Sequence, residues 1–262
     1  LPEPDYAADT ALLEAAVREA GALARTFLTG QNKIRRKADG SPVSDADLAV
    51  DRFLTERLRP ARPEYAWLSE ETEDDPARLS ARRVFIIDPI DGTVAFLKGR
   101  PHFTISAAVV EDEIPAAASV YNPLTEECFT AVKGGGAWLN GAPIRVSARD
   151  RLEGCRMLAS KSTLQNPCWG GVPWPPMEVA TPNSMAYRIA LVACGAFDAS
   201  VSLSATHDWD LAAADLIVRE AGGLISSHQG NILRYNRATA AQPSVVAAGR
   251  ALHEAILSRI KN

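Results

Sequence analysis

The chain has 262 residues, 47% of them hydrophobic and 23% charged, and a formal net charge of −4 at pH 7. This is the make-up of an ordinary soluble globular protein, long enough for one large domain or two small ones. It excludes a general binder of nucleic-acid polymers, because no basic excess exists to neutralise phosphates, and a membrane-spanning chain, because no apolar run reaches spanning length. Cys128, Cys155, Cys168 and Cys194 lack C-x-x-C spacing and read as reduced, mostly buried small residues of a cytoplasmic protein. The chain starts at Leu1 without a methionine, which is compatible with a leader or tag removed ahead of it.

The first element is a helix. Leu12, Leu13, Ala16, Val17, Ala20, Leu23, Ala24 and Phe27 recur at helical spacing, and Gly30 suits its end. The segment Lys37-Ala38-Asp39-Gly40-Ser41-Pro42-Val43 then leads to Ser44, an N-cap for a second helix carrying Leu48, Val50, Phe53, Leu54 and Leu58. Asp47 falls at the third position of that helix, where an acid completes a capping box and suits the helix dipole. Trp67-Leu68-Ser69-Glu70-Glu71 is a short apolar segment ending in paired acids.

Val84 to Ile87 is an unbroken apolar run of strand length, suited to burial on both faces. It runs into the turn Asp88-Pro89-Ile90-Asp91-Gly92-Thr93, and ligands of open α/β sheets collect where such strands end. Pro89 fixes its own φ and biases Asp88 toward an extended conformation, while Gly92 removes a Cβ where the backbone must come close to something. Asp88, Asp91, the Ile90 carbonyl and the Thr93 hydroxyl can then share one space, and all are oxygen ligands of the kind Mg²⁺ prefers. The alternative is a capped strand-to-helix turn in which Asp91 satisfies helix amides.

Downstream, Phe103 to Glu111 and Ile114 to Tyr121 read as a hairpin around Asp112-Glu113, followed by a strand from Glu127 to Lys133. Gly134-Gly135-Gly136 lacks the Lys-Ser/Thr of a P-loop and reads as a bend before another strand and the Asn140-Gly141 turn. Met157 to Ser160 is strand-like. The Pro- and Trp-rich stretch from Gln165 to Met177 is either a pocket wall or a surface loop. Ser184 to Cys194 and Trp209 to Ala221 read as helices, Phe197 to Val201, Leu224-Ile225 and Val245 to Ala248 as strands, and Leu252 to Ile260 as a closing helix. His102, His207, His228 and His253 have no metal-ligand spacing.

The turn at Asp88 to Thr93, the acids Glu70-Glu71, and the distant His207-Asp208-Trp209-Asp210-Leu211-Ala212-Ala213 followed by Glu220-Ala221-Gly222-Gly223 together resemble the inositol monophosphatase family. That family lies within the lithium-sensitive, Mg²⁺-dependent phosphatase superfamily, and the resemblance runs from about Lys37 to Gly223. It implies an α+β fold, a layered α/β/α/β/α sandwich. The whole of 1–262 would be one catalytic domain, with a metal-binding sub-region over about 1–150 and a substrate-selecting sub-region over about 151–262. It implies two to three Mg²⁺ ions held by Glu70, Asp88, the Ile90 carbonyl, Asp91 and Asp210, catalytic roles for Asp47, Glu70 and Thr93, and substrate contacts from Gly92, Thr93 and Asp210. Thr93, polarised by Asp47, would position the attacking water, and the amides of Gly92 and Thr93 would cradle phosphate oxygens. The expected partner is a small phosphorylated metabolite, and the expected assembly a homodimer.

Some positions depart from the family pattern. Ser69 stands where a glycine usually precedes the glutamate pair, and Ala95 where asparagine or glutamate is frequent. Inositol monophosphatases place an acid between the positions of Asp198 and Asp208 to accept hydrogen bonds from the polyol, and this chain has no carboxylate over 199–207. Ser184-Met185-Ala186-Tyr187-Arg188 and Leu233-Arg234-Tyr235-Asn236 are similar to bacterial 3′(2′),5′-bisphosphate nucleotidases. The expected substrate is therefore 3′-phosphoadenosine-5′-phosphate, with inositol-1-phosphate as the alternative. A regulatory binding role without essential catalysis is a further alternative, against which the complete carboxylate set weighs.

Overall fold

The computed structural model describes residues 5–28, 32–36, 40 and 42–260. Gly30, Lys37, Ala38, Asp39 and Ser41 lie outside the described residues. Helix α1 (Tyr6–Thr26) is followed by a ribbon of β1 (Ile34–Arg36) and β2 (Pro42–Ser44), then by α2 (Asp45–Leu58). The next strands are β3 (Ala66–Ser69), β4 (Arg83–Asp91), β5 (Thr104–Glu111), β6 (Ile114–Asn122), β7 (Glu127–Val132), β8 (Gly136–Leu139) and β9 (Ala142–Pro143). A short helix, α3 (Thr93–Leu97), leaves the end of β4. These strands form a seven-stranded sheet in chain order, in which β3 and β4 are parallel and every later pair is antiparallel.

The second half alternates more irregularly: β10 (Arg156–Leu158), α4 (Lys161–Leu164), β11 (Glu178–Ala180), α5 (Met185–Ala193), β12 (Ala199–Ser202), β13 (Thr206–His207), α6 (Asp208–Glu220), β14 (Gly223–Ser226), β15 (Ala241–Gln242), β16 (Val245–Gly249) and α7 (Arg250–Leu257). Its main sheet has five strands in the order β11-β10-β12-β16-β14. Three apolar cores separate the layers. Phe85 and Ile87 of β4 turn toward α1 and α2, whereas Val84 and Ile86 turn toward α5 and α6, so both faces of this strand are covered. Leu158, Ile225, Val245 and Ala247 of the smaller sheet close the other side of the α5–α6 layer, and Leu252 and Ile256 of α7 pack with Met157, Val201 and Val246 on its far face. The result is the expected α/β/α/β/α sandwich.

Two local details differ from expectation. Strand β4 does not stop at Ile87 but continues to Asp91 through a bulge: Asp88 pairs with Ser106 and Asp91 with Thr104, three residues against two. Residues three apart on a regular strand point to opposite faces, and the extra residue is what lets both carboxylates face the same side. The Gln165–Met177 stretch is half core: Trp169 is buried, its indole N–H donates to the Thr163 carbonyl at 2.7 Å, and the Trp174 indole donates to that of Leu164 at 2.8 Å.

Candidate active site

At the bulged end of β4, its carboxylates converge with those of α2 and α6, and each is held by main-chain amide donation. Asp88 Oδ1 accepts from the Ile90 N–H at 3.0 Å, and Asp210 Oδ2 from the His207 N–H at 2.9 Å. Asp91 Oδ2 accepts from the Ala186 N–H at 2.6 Å and the Ser184 hydroxyl at 2.7 Å, so it caps α5. Asp47 Oδ2 accepts from the Ser44 N–H at 2.8 Å and its hydroxyl at 2.6 Å. One oxygen of each acid is thus fixed in direction by the backbone, and the other is presented for chemistry. The capping reading of Asp47 and of Asp91 uses one oxygen of each group and leaves the other to the functional reading.

Ligand oxygens of Asp88, Asp91 and Asp210 lie within 4.8 Å of one another. Asp88 Oδ2 is buried and has no hydrogen-bond partner among the described residues. A buried anionic oxygen without a donor is costly, and a hard cation is the group that such an oxygen-only set accommodates. The energetics agree. Burial, then repulsion from Glu70, Asp91, Asp210 and Asp47, holds the Asp88 carboxyl well above the usual range. Burial and then Asp91 and Glu70 do the same to Asp210. Burial pushes Asp91 up to about 6 against the hydrogen bonds from Ser184 and the α5 amides.

Glu70 lies outside this closest trio but acts electrostatically on every member of it. Its position is set by a contact the sequence did not announce. The Ser69 hydroxyl donates to Asp51 Oδ1 at 2.5 Å and the Thr72 hydroxyl to Asp51 Oδ2 at 2.9 Å, bracketing the Glu70-Glu71 corner. Ser69 in place of glycine therefore ties the corner to α2. Asp51 follows Asp47 by one helical turn, a spacing that puts both on one face, and this was the available signal.

The Thr93 hydroxyl lies 3.1 Å from Asp47 Oδ1 and 3.2 Å from the Ile90 carbonyl. Gly92 makes the chain reversal at φ +93°, and a Cβ there would stand 2.8 Å from the His102 carbonyl oxygen and 3.2 Å from the Ser184 amide. The close approach expected at Gly92 is thus to the segment that caps Asp91. The His207 ring stacks on Trp209 at 4.5 Å with 10° between planes.

The raised carboxyls set a pH dependence. In the metal-free protein these groups bind more protons folded than unfolded, between the ordinary carboxylate value of about 4 and the Asp91 value of about 6. They therefore lower stability as pH rises through that window. A divalent cation relieves the repulsion only once the set is deprotonated. The Mg²⁺-induced rise in Tm should be small at about pH 5 and larger at about pH 7.5, read by thermal unfolding with and without MgCl₂. An equal rise at both pH values would place the ion elsewhere.

Comparison with known proteins bears on the same set. A family model described as the inositol monophosphatase family matches residues 5–262. An inositol-1-monophosphatase of Rhizobium meliloti (strain 1021) is 36% identical over 227 residues, covering 84% of this chain and 85% of the relative. A 3′(2′),5′-bisphosphate nucleotidase CysQ of Aggregatibacter actinomycetemcomitans is 28% identical over 239 residues, covering 84% of each. The crystal structure of the extragenic suppressor protein suhB from Bartonella henselae superposes with a TM-score of 0.84 at 28% identity, covering 97% of this chain and 99% of that one.

Proposed function

The chain belongs to the inositol monophosphatase family of phosphatases, and on that premise we propose that it is a Mg²⁺-dependent phosphomonoesterase acting on 3′-phosphoadenosine-5′-phosphate. The observation that carries the metal dependence is the partnerless, buried Asp88 Oδ2 within the Asp88–Asp91–Asp210 trio. These acids, with the Ile90 carbonyl and Glu70, would hold two to three divalent ions. Bound there, the ions supply neutralisation of the phosphoryl oxygens and of the departing oxygen.

The remaining work falls to the chain itself. A hydroxyl donates a single proton, and Asp47 Oδ1 and the Ile90 carbonyl both stand within reach of that of Thr93. With the carbonyl committed as a ligand, the Thr93 proton goes to Asp47, which leaves the oxygen free to accept a hydrogen bond from water and orient its attack. The Gly92 and Thr93 amides, at the start of α3, are assigned to the phosphate oxygens.

Selectivity is assigned to the second half of the chain. Stretch 199–207 has no acid, and the acids that flank it are engaged. Asp198 pairs with Arg149 at 3.2 Å and Arg156 at 3.5 Å, and Asp208 accepts from the Asn236 amide and the Gln242 side chain. A polyol would find no free carboxylate there, and sites built around such hydrogen bonds are the ones that discriminate for them. The second reading, inositol-1-phosphate, is favoured by the name of the Rhizobium meliloti relative. The test is kcat/KM for the two substrates with Mg²⁺ and with chelator. The adenosine bisphosphate should be the better substrate, and chelation should abolish both activities; a strong preference for inositol-1-phosphate would overturn the substrate assignment.

A further inference from the structure

The carboxylate trio is assembled across the two halves of the chain. Asp88 and Asp91 come from β4 in the first half and Asp210 from α6 in the second, so their spacing depends on how the halves are registered. One segment of the second half, residues 233–242, holds the first turn of α6 at several points. The Asp208 N–H donates to the Ala240 carbonyl at 3.0 Å, and His207 pairs with Ala241. Asp208 is buried and accepts from the Asn236 N–H at 2.9 Å through one oxygen and from the Gln242 side chain at 3.0 Å through the other. His207 supplies the amide that aims Asp210 Oδ2, so this segment fixes the donor that fixes the carboxylate.

Asn236 also reaches the first half. Its Oδ1 accepts from Arg78 Nη1 at 2.8 Å, and its Nδ2 donates to the Arg78 carbonyl at 3.0 Å. Arg78 is buried in the connection between β3 and β4, the same connection that opens on Glu70. The rigid fork of its guanidinium presents Nε and Nη2 to Asp74 and Nη1 to Asn236, which fixes direction as well as contact. Asn236 adopts φ +58°, a left-handed conformation that asparagine tolerates better than most side chains. In that conformation its N–H meets Asp208 while its carboxamide meets Arg78. One residue thus joins the turn that carries Asp210 to the connection that carries Glu70.

We propose that Asn236 is a positioning residue for the metal centre: it registers the Asp210 turn against the Glu70 connection and thereby sets the Mg²⁺ affinity of the site. This rests on the reading of the carboxylates as metal ligands, and it adds a determinant that touches none of them.

Asn236→Gly tests it, because glycine keeps the left-handed backbone and the N–H to Asp208 but removes both side-chain bonds to Arg78. The calorimetric Kd for Mg²⁺ should rise about 10-fold, the low end for partners outside the coordination shell. The Mg²⁺ concentration that half-saturates turnover of p-nitrophenyl phosphate should rise with it. At saturating Mg²⁺ turnover should return to within about twofold of wild type, because no ligand is lost. Asn236→Asp, which keeps the acceptor for Arg78 and loses the donor, should fall between. Tyr235→Phe is the control within the same segment, since it deletes the bond from the Tyr235 hydroxyl to Asp215 at 2.7 Å on the body of α6. It should lower the metal-free Tm by about 2–4 °C, the effect of about one lost hydrogen bond, and leave the Kd for Mg²⁺ within about twofold. An unmoved Kd in Asn236→Gly, or an equal rise in both variants, would make the segment merely structural and overturn the assignment while the metal centre stands. A wild type that binds no Mg²⁺ by calorimetry or thermal shift overturns the metal reading itself, and this role with it.

Discussion

Asp91→Asn will abolish the Mg²⁺-induced rise in Tm and lower kcat/KM by far more than the about 10- to 100-fold typical of losing an outer-shell partner. The reason lies in the two ends of the carboxylate. Oδ2 is committed to the Ala186 amide and the Ser184 hydroxyl, both donors, so an asparagine must put its oxygen there. Its NH₂ group then faces Asp88 and Asp210, and a donor cannot serve as a ligand. Because the α5 cap survives and one buried charge is gone from a mutually repelling set, the metal-free variant should be at least as stable as metal-free wild type. Thr93→Ala is the contrast: it removes no ligand charge, so Mg²⁺ should still raise Tm while turnover falls. Thermal unfolding with a Mg²⁺ titration, beside kinetics, reads both. Retained Mg²⁺ stabilisation in Asp91→Asn would remove Asp91 from the ligand set.

The chemistry of this site was legible in the chain and its geometry was not. Asp88 and Asp91 stood out because acids, a glycine and an apolar run occurred together, Asp210 stood out through the family resemblance, and the structure gathers the three within 4.8 Å. How they converge depends on the bulge in β4 between Asp88 and Asp91, which only the pairing with β5 reveals. Long, covered elements such as β4, β5 and α6 were readable because burial on both faces or along a stripe imposes a pattern. Strand β11 was not: it is three residues at a sheet edge, mostly exposed, with no period to detect. Residues acting through another residue were equally hidden. Asp51 matters through Ser69, and Ser184 matters through Asp91, contacts that arise only when distant segments meet.

Asp47→Asn should cost about as much turnover as Thr93→Ala, on the order of 10²- to 10⁴-fold in kcat, while Mg²⁺ affinity and Tm stay close to wild type. The asparagine keeps the capping role, because its carbonyl oxygen can take the place of Oδ2 at the Ser44 amide, 2.8 Å away in the wild type. Its NH₂ then points at the Thr93 hydroxyl where a carboxylate oxygen stood at 3.1 Å. The hydrogen bond reverses: Thr93 becomes the acceptor from the amide, and with the Ile90 carbonyl committed as a ligand its own proton turns toward the attacking water, which it then no longer orients as an acceptor. Burial is the largest influence on Asp47, so neutralising it carries no stability penalty of its own. If Asp47 acts only through Thr93, the two losses describe one interaction, and the double variant should be no slower than the slower single one. Thr93→Ser, which keeps the hydroxyl, should retain most of the activity. Pre-steady-state turnover of the two singles and the double variant decides it: multiplicative losses would mean that Asp47 and Thr93 serve the reaction separately.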